Sequence, residues 1–402
     1  MLRRALVVGL VGLGCASQSA APEPATRVIA TSVPPLETDA LDVLFVVDDS
    51  GSTVDDRAEL VAQAQAALFD VLHRDRGRKP DLHVGVTTTS LSIPNVRDCE
   101  DGADGRIFGA PGWDGTLADA LAQVPADGRG CQYEQPLAAA ARAVSGTIAE
   151  NRGFVREGAL LVVVFLTDED DCSSTNDGLF DPNASLGPAD SYRCFRHMIT
   201  CDEPLDQPGR KRHCVPDDAS PYGVPIDELA DALVAAKGGD ASQVIVATVA
   251  GPSGSVIRVE QEASCSRMWV GNACGSRAVT ATPAVRLDAF RARFPGRTLA
   301  GDLCGGDLDD PFRHTAELID DVAMRRGCLR GDLAEPLACG VVAAEGVDGV
   351  GGAPLPACAS GATPCVEIVA DAACGASGRR VRIEDPRRAL AGRHVVATCD
   401  GR

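Results

Sequence analysis

Aromatic residues are scarce. Phe, Trp and Tyr make up 4 % of the 402 residues although hydrophobic residues reach 45 %, so a core of ordinary size must be built mainly from Ala, Val and Leu. Cationic residues are also in deficit: 38 Lys and Arg stand against 57 Asp and Glu, a formal charge of −19. That balance argues against nucleic acid or an anionic membrane surface as partner and suits a cation or a basic partner. Past the N-terminal segment, no apolar run approaches the ~20 residues of a membrane span. Gly-x-Ser-x-Gly, His-Glu-x-x-His and Gly-x4-Gly-Lys are absent, and no His is paired with a nucleophile, which removes the commonest signatures of hydrolases, metalloproteases and nucleotide-binding proteins. No internal repeat is evident.

Cysteine, by contrast, is abundant. Sixteen cysteines are scattered along the chain, and in an exported protein that pattern reads as disulfides. Export is readable from Met1-Leu2-Arg3-Arg4, the apolar run Ala5 to Leu13, and Gly12-Leu13-Gly14-Cys15. The order basic, apolar, cysteine resembles a bacterial lipoprotein signal over residues 1–15, with Cys15 as the lipid-bearing residue and Gly12 where Leu is usual. Residues 16–41, rich in Ala, Ser, Thr and Pro, read as a flexible tether. With Cys15 acylated, fifteen cysteines remain, an odd number, so at least one thiol is expected to be free or paired between molecules.

Val43-Leu44-Phe45-Val46-Val47 is an unbroken apolar run, the mark of a strand buried on both faces. It stops at Asp48-Asp49-Ser50-Gly51-Ser52, two carboxylates and two hydroxyls in one turn, and a helical apolar pattern covers 54–73. Ala159 to Leu166 is a second such run, ending in Thr167-Asp168-Glu169-Asp170-Asp171. Strand patterns at 82–88, 244–249 and 298–303 alternate with helical ones at 135–144, 285–294 and 312–325. The fold expected is α/β, with ligand groups at the carboxyl ends of strands, where open α/β sheets bind ligands. Asp and Ser are also turn and N-cap residues; their place directly behind buried strands is what sets these apart.

Asp48-x-Ser50-x-Ser52 behind a buried strand, with Leu166-Thr167-Asp168 behind another, resembles the metal-ion-dependent adhesion site of von Willebrand factor type A domains. The resemblance covers about residues 42–328. It implies a doubly wound, mostly parallel sheet with helices on both faces, and a divalent cation held by Asp48, Ser50, Ser52 and Asp168. Hard cations such as Mg²⁺ and Ca²⁺ take oxygen ligands of this kind. The family's second-loop Thr, just before the helix at 135–144, is missing. Gly130-Cys131-Gln132-Tyr133-Glu134-Gln135 stands there, with Glu134 or Gln135 in the neighbourhood. Glu134 is the candidate for the vacant ligand position; the alternative is that it caps the helix or faces solvent while a backbone oxygen or water fills the place of the Thr. Three carboxylates around one ion favour Ca²⁺, which tolerates more ligands and irregular geometry.

Residues 173–240, polar and Pro- and Gly-rich, read as an insertion beside the site. Cys194-x2-His197-x3-Cys201 within them has a zinc-like spacing, but disulfides fit an oxidising compartment better. Cys99–Cys131 and Cys265–Cys274 are candidate loop closures. Residues 329–402 read as a small, β-rich, disulfide-stapled region. The function expected is that of a cell-envelope lipoprotein, at the outer membrane or in the periplasm, binding a protein or glycan partner through the cation. It would touch the membrane through its N-terminal lipid only and would not be an enzyme. The alternatives are a cation that only ties loops together and, last, a metal-assisted hydrolase using the acids 168–171.

Overall fold

The computed structural model describes residues 27–401 apart from 34–39, 54–61, 70–71, 73–79, 98, 125–129, 255, 264–266, 275–279, 306–308, 320–326, 330, 346–348, 386, 388 and 391–392. The expected signal segment and Cys15 lie outside the described residues, as does most of the expected 54–73 helix, of which 62–69 and 72 are helical. Among the described residues no helix is long and apolar enough to cross a membrane.

In chain order the first strands are β1 (Arg27–Val33), β2 (Ala40–Val47), β3 (Asp81–Thr88) and β4 (Leu160–Leu166). Then come β5 (Ile199–Thr200), β6 (Gly209–Arg212), β7 (Val215–Pro216), β8 (Val244–Ala250), β9 (Val256–Gln261), β10 (Met268–Val270) and β11 (Thr298–Asp302). Five of them form one parallel sheet in the order β3-β2-β4-β8-β11. Along β2 the side chains alternate between two cores. Leu41, Val43, Phe45 and Val47 pack with Leu117, Ala120, Phe312 and Ala316. Leu44 and Val46 pack with Leu137, Ala140, Leu229 and Phe290 on the other face. Each such fully buried Val, Leu or Phe contributes about 1.5–3 kcal/mol, which is why a strand with no exposed face reads as continuous hydrophobicity. The chain is therefore an α/β protein with helices on both faces of a parallel sheet. Sheet order reverses between β2 and β4, so the crevice at their carboxyl ends is the topological switch point.

Helix Pro136–Val144 begins with Pro at its first position, where a missing N–H costs nothing, and buries Leu137, Ala139, Ala140 and Ala143. Helix Ile226–Ala236 buries Ile226, Leu229, Ala230 and Leu233 against the same core. Residues 226–236 are thus part of the fold, and the inserted segment ends near 225 rather than 240; the i, i+3, i+4, i+7 spacing is the reason. The insertion proper is held by Cys172–Cys194 and Cys201–Cys214. It is also held by Arg193, 1 % exposed, whose guanidinium donates to the carbonyls of Leu179, Asp181, Gly187 and Pro188.

The C-terminal region forms β12 (Cys339–Ala344), β13 (Ala353–Pro354), β14 (Cys365–Ala370), β15 (Arg379–Glu384) and β16 (His394–Gly401). It is β-rich and carries Cys328–Cys374, Cys339–Cys399 and Cys358–Cys365. Two expectations fail here. Residues 27–33 are not tether but strand β1, paired antiparallel with β16 from Arg27↔Gly401 to Val33↔Val395. A buried eight-residue strand presents an edge, and Val28-Ile29-Ala30-Thr31 is a β-prone segment that covers it. Nor is Cys274 joined to Cys265: the fold lays the turn after β11 against it, and Cys274–Cys304 forms. Cys99–Cys131 is present. With Cys194 and Cys201 both in disulfides, no thiolate remains for zinc. The seven disulfides take fourteen of the sixteen cysteines, and the remaining two, Cys15 and Cys265, lie outside the described residues.

Candidate metal centre

Asp48 follows the last residue of β2, and its amide extends the β2–β4 pairing by donating to the Leu166 carbonyl at 2.9 Å. The side chain is 1 % exposed. Its Oδ1 accepts from the Ser50 amide at 2.8 Å, and its Oδ2 accepts from the Thr167 hydroxyl at 2.7 Å. Ser50 Oγ and Ser52 Oγ lie 2.9 Å apart, and Ser52 donates to Asp168 Oδ1 at 3.3 Å. The four residues predicted from the two strand ends therefore converge.

The second loop is brought in by backbone. Gly130 N–H donates to the Asp49 carbonyl at 3.0 Å, an approach so close that a Cβ at Gly130 would lie 2.3 Å from that carbonyl group. Asp49 accepts from the Ser90 hydroxyl at 2.7 Å, and Ser90 accepts from the Cys131 amide at 2.8 Å. Glu134, 2 % exposed, gives its carbonyl to the Cys172 amide at 2.7 Å. The loops after β2 and β4 and the loop before helix Pro136–Val144 are so joined, with the Cys99–Cys131 and Cys172–Cys194 disulfides fixing two of them.

The run 168–171 divides by role. Asp170 accepts from the amides of Arg286 and Leu287, at the start of helix Val285–Arg291. Asp171 accepts from the Leu137 amide and from Arg286 Nε. These two cap helices. Asp168 accepts from Ser52, while the Glu169 carboxyl is hydrogen-bonded with the side chains of Glu134 and Ser191. Sequence reasoning names Glu169 only among the acids of the hydrolase alternative, not as a cation ligand. It adjoins Asp168 in the chain and carries no periodic signal of its own. Burial, and then the charges of Glu169 and Asp48, push the Glu134 carboxyl far above its usual range. Burial, and then Asp48 and Glu169, raise Asp168 to about 8, and burial chiefly raises Glu169 to about 7. The charges that dominate these shifts are all negative. Asp48, Ser50, Ser52 and Asp168 offer oxygen donors only, the chemistry a hard divalent cation takes and zinc or copper does not require, with the carboxyls of Glu134 and Glu169 near enough to act on them by charge. The residues present fit Ca²⁺ or Mg²⁺.

No family model matches the chain, and no curated protein does. Solved structures share remote likeness. One is proximal thread matrix protein 1 from the mussel byssus, with TM-score 0.34 and 10 % identity over 77 % of this chain and 50 % of that one. Another is the pilus adhesin SpaC from Lactobacillus rhamnosus GG in its open conformation, with TM-score 0.35 and 12 % identity over 94 % and 41 %. A third is the adhesive tip pilin GBS104 from Group B Streptococcus agalactiae, with TM-score 0.33 and 12 % identity over 93 % and 80 %. The chain spans half or less of the length of the first two. At these scores none of the likenesses bears on the reading of the site.

Proposed function

We propose that the chain is a cation-dependent binding protein of the cell envelope. A von Willebrand factor type A-like domain, carried by a lipidated Cys15, takes a protein or glycan partner at a Ca²⁺ or Mg²⁺ ion held by Asp48, Ser50, Ser52, Asp168 and Glu134. Glu169 adds a fourth carboxylate. The observation that supports this best is the convergence of two strand-end acids and two hydroxyls at the switch point of a parallel sheet. Bound there, the ion supplies an electrophile for an oxygen of the partner. Asp48 and Asp168 supply charge, the two serines supply ligands that cancel none of it, and Thr167 orients Asp48.

Calorimetry with Ca²⁺ and Mg²⁺ tests the site: Asp48→Ala should abolish binding, and Glu134→Thr should weaken it. Unchanged affinities in Glu134→Thr would remove Glu134 from the ion's surroundings. A pull-down from envelope extracts should recover a partner that EDTA releases. A second reading has its own support. Four carboxylates neutralise a 2+ ion and make it a poor electrophile, so the ion then only ties the loops together. Partner capture that survives both EDTA and Asp48→Ala would select this reading.

A further inference from the structure

The insertion and the two strands after β8 share a second, antiparallel sheet in the order β10-β9-β6. Its inner face is apolar: Ile257 and Val259 are buried with Tyr192 and Phe195, and Met268 and Val270 pack against them. Side chains alternate along a strand, so Arg210, Arg212, Arg258, Glu260 and Trp269 share the outer face. Three features set that face apart. Arg210 stands directly opposite Arg258 in the ladder. Both are exposed, and among the described residues neither makes an ion pair. Arg212, the next outward residue along β6, is by contrast held by Glu203 at 2.7 Å. Like charges directly opposed destabilise a sheet, and a chain with 57 acids and 38 bases has acids to spare for neutralising them. Second, the residue across from Arg258 on its other side is Gly271, whose amide donates to the Arg258 carbonyl at 2.7 Å. A Cβ at Gly271 would lie 3.5 Å from Arg258 Cβ and 3.1 Å from Glu260 Oε1, so bare backbone floors the face there, and Glu260, the one acid on it, leans over the glycine. Third, Trp269, at 38 %, is the one large aromatic side chain left exposed among the described residues.

We infer that this face binds an acidic glycan, a chain of uronic acid residues, with one ring carboxylate set between Arg210 and Arg258 and a sugar ring laid on Trp269. A carboxylate accepts from two guanidiniums at once and removes their mutual repulsion. Trp269 and Arg258 are diagonal neighbours on adjacent strands, about 7–8 Å apart, within the reach of a sugar ring and its acid group. Gly271 leaves the space between them open. The indole offers a rigid, largely apolar surface to the C–H side of the ring. A nucleic acid would meet the repulsion of a chain of charge −19 along its whole length. An acidic peptide would use the arginines and leave the flat aromatic platform without a role. Trp269 also borders the cavity that Glu134 and Glu169 line, so this face adjoins the cation site. The inference rests on the reading of the chain as a binding protein and makes its partner a glycan, but it needs no ion.

The probe is tetragalacturonate, titrated into the ¹⁵N-labelled, disulfide-bonded chain in EDTA and again with Mg²⁺. Its methyl ester is the uncharged control, and tetraglutamate is the control with charge but no ring. The Trp269 indole signal, assigned through Trp269→Phe, should move saturably with tetragalacturonate in EDTA. The ester and the peptide should each bind at least about tenfold more weakly. By calorimetry, Arg258→Ala and Trp269→Ala should each weaken binding about fivefold or more, whereas Asp48→Ala should leave it unchanged in EDTA. Arg210→Glu separates binding from folding. It sets an acid opposite Arg258, so it should abolish binding and raise the melting temperature by about 1 °C. A fall in melting temperature there would make Arg210 a structural residue and overturn the proposal. So would the lack of a saturable shift, equal binding of the ester, or binding seen only with Mg²⁺, which would put the carboxylate on the ion. Equal binding of tetraglutamate would replace the glycan by an acidic peptide. Uronate binding in EDTA by a chain that takes up no Ca²⁺ would instead sink the cation reading and spare this one.

Discussion

Asp42 and Asp48 belong to the same strand line, six residues apart, at 0 % and 1 % exposure, and their surroundings are opposite. Asp42, at the amino end of β2, accepts from the Arg156 amide and from Arg156 Nε, each at 2.7 Å. That guanidinium reaches on to the carbonyls of Leu41 and Asp81. Asp48, at the carboxyl end, has hydroxyl and amide donors but meets Asp168, Glu134 and Glu169 in place of a cation. A buried acid given its own guanidinium is a closed structural device. A buried acid given hydroxyl and amide donors but surrounded by other acids is open to a cation from solution.

The largest test of this contrast is Arg156→Ala. Removing one partner of a buried pair leaves an uncompensated charge and costs about 3 kcal/mol, read by urea denaturation, with no change in Ca²⁺ affinity. Adding Asp42→Asn should recover much of the loss, and a single-variant cost under about 1 kcal/mol would show that Asp42 is not held by charge. Next comes Asp48→Asn. It should weaken Ca²⁺ by thirtyfold or more, about 2 kcal/mol, and leave the metal-free chain as stable as before or more so. Equal destabilisation of both forms would make Asp48 another Asp42.

The pH dependence is smaller and has a definite sign. Asp168 and Glu169 titrate higher in the folded chain, about 8 and about 7, than in the unfolded one, so the folded form binds more protons. Their stabilising effect is complete below pH 4 and is lost as pH rises through 7 and 8. In EDTA the melting temperature should fall by at least about 3 °C between pH 6 and pH 8.5, and Ca²⁺ should remove that fall. A flat or rising curve in EDTA would mean that the acids are not pressed together. Smallest is Ser52→Ala. Ser52 is exposed, so stability should change by less than about 0.5 kcal/mol while calorimetry shows Ca²⁺ binding weakened severalfold.

The same strand shows what can be read in advance. Asp48, Ser50, Ser52 and Asp168 are legible because each stands directly behind an unbroken apolar run, and strand ends are where α/β sheets expose their ligands. Asp42 is not, because a charge inside a run looks like the run's boundary: the strand begins at Ala40, not Val43, and only the distant Arg156 makes that possible. Glu169 and Asp170 are adjacent acids with opposite fates, decided by which neighbouring element supplies amides. Strand β1 escaped notice because its reason lies more than 360 residues away in β16. The pairing of Cys274 is likewise a property of tertiary neighbours, not of spacing.

The position of the site on β2 also fixes how the molecule carries load. A pull applied at the Asp48 turn and resisted from the N-terminal side runs straight down β2. That strand is flanked in parallel register by β3 from Ala40 to Val47 and by β4 from Leu41 to Val47. Force along that axis shears the two ladders, so their hydrogen bonds share the tension and must fail together instead of peeling one at a time. On the N-terminal side the same line passes through β1, whose antiparallel ladder with β16 from Arg27↔Gly401 to Val33↔Val395 is loaded along its length as well. Under tension what matters is the rate of rupture and not equilibrium stability, and the turn that gathers the carboxylates is mounted on the strand best placed to keep that rate low.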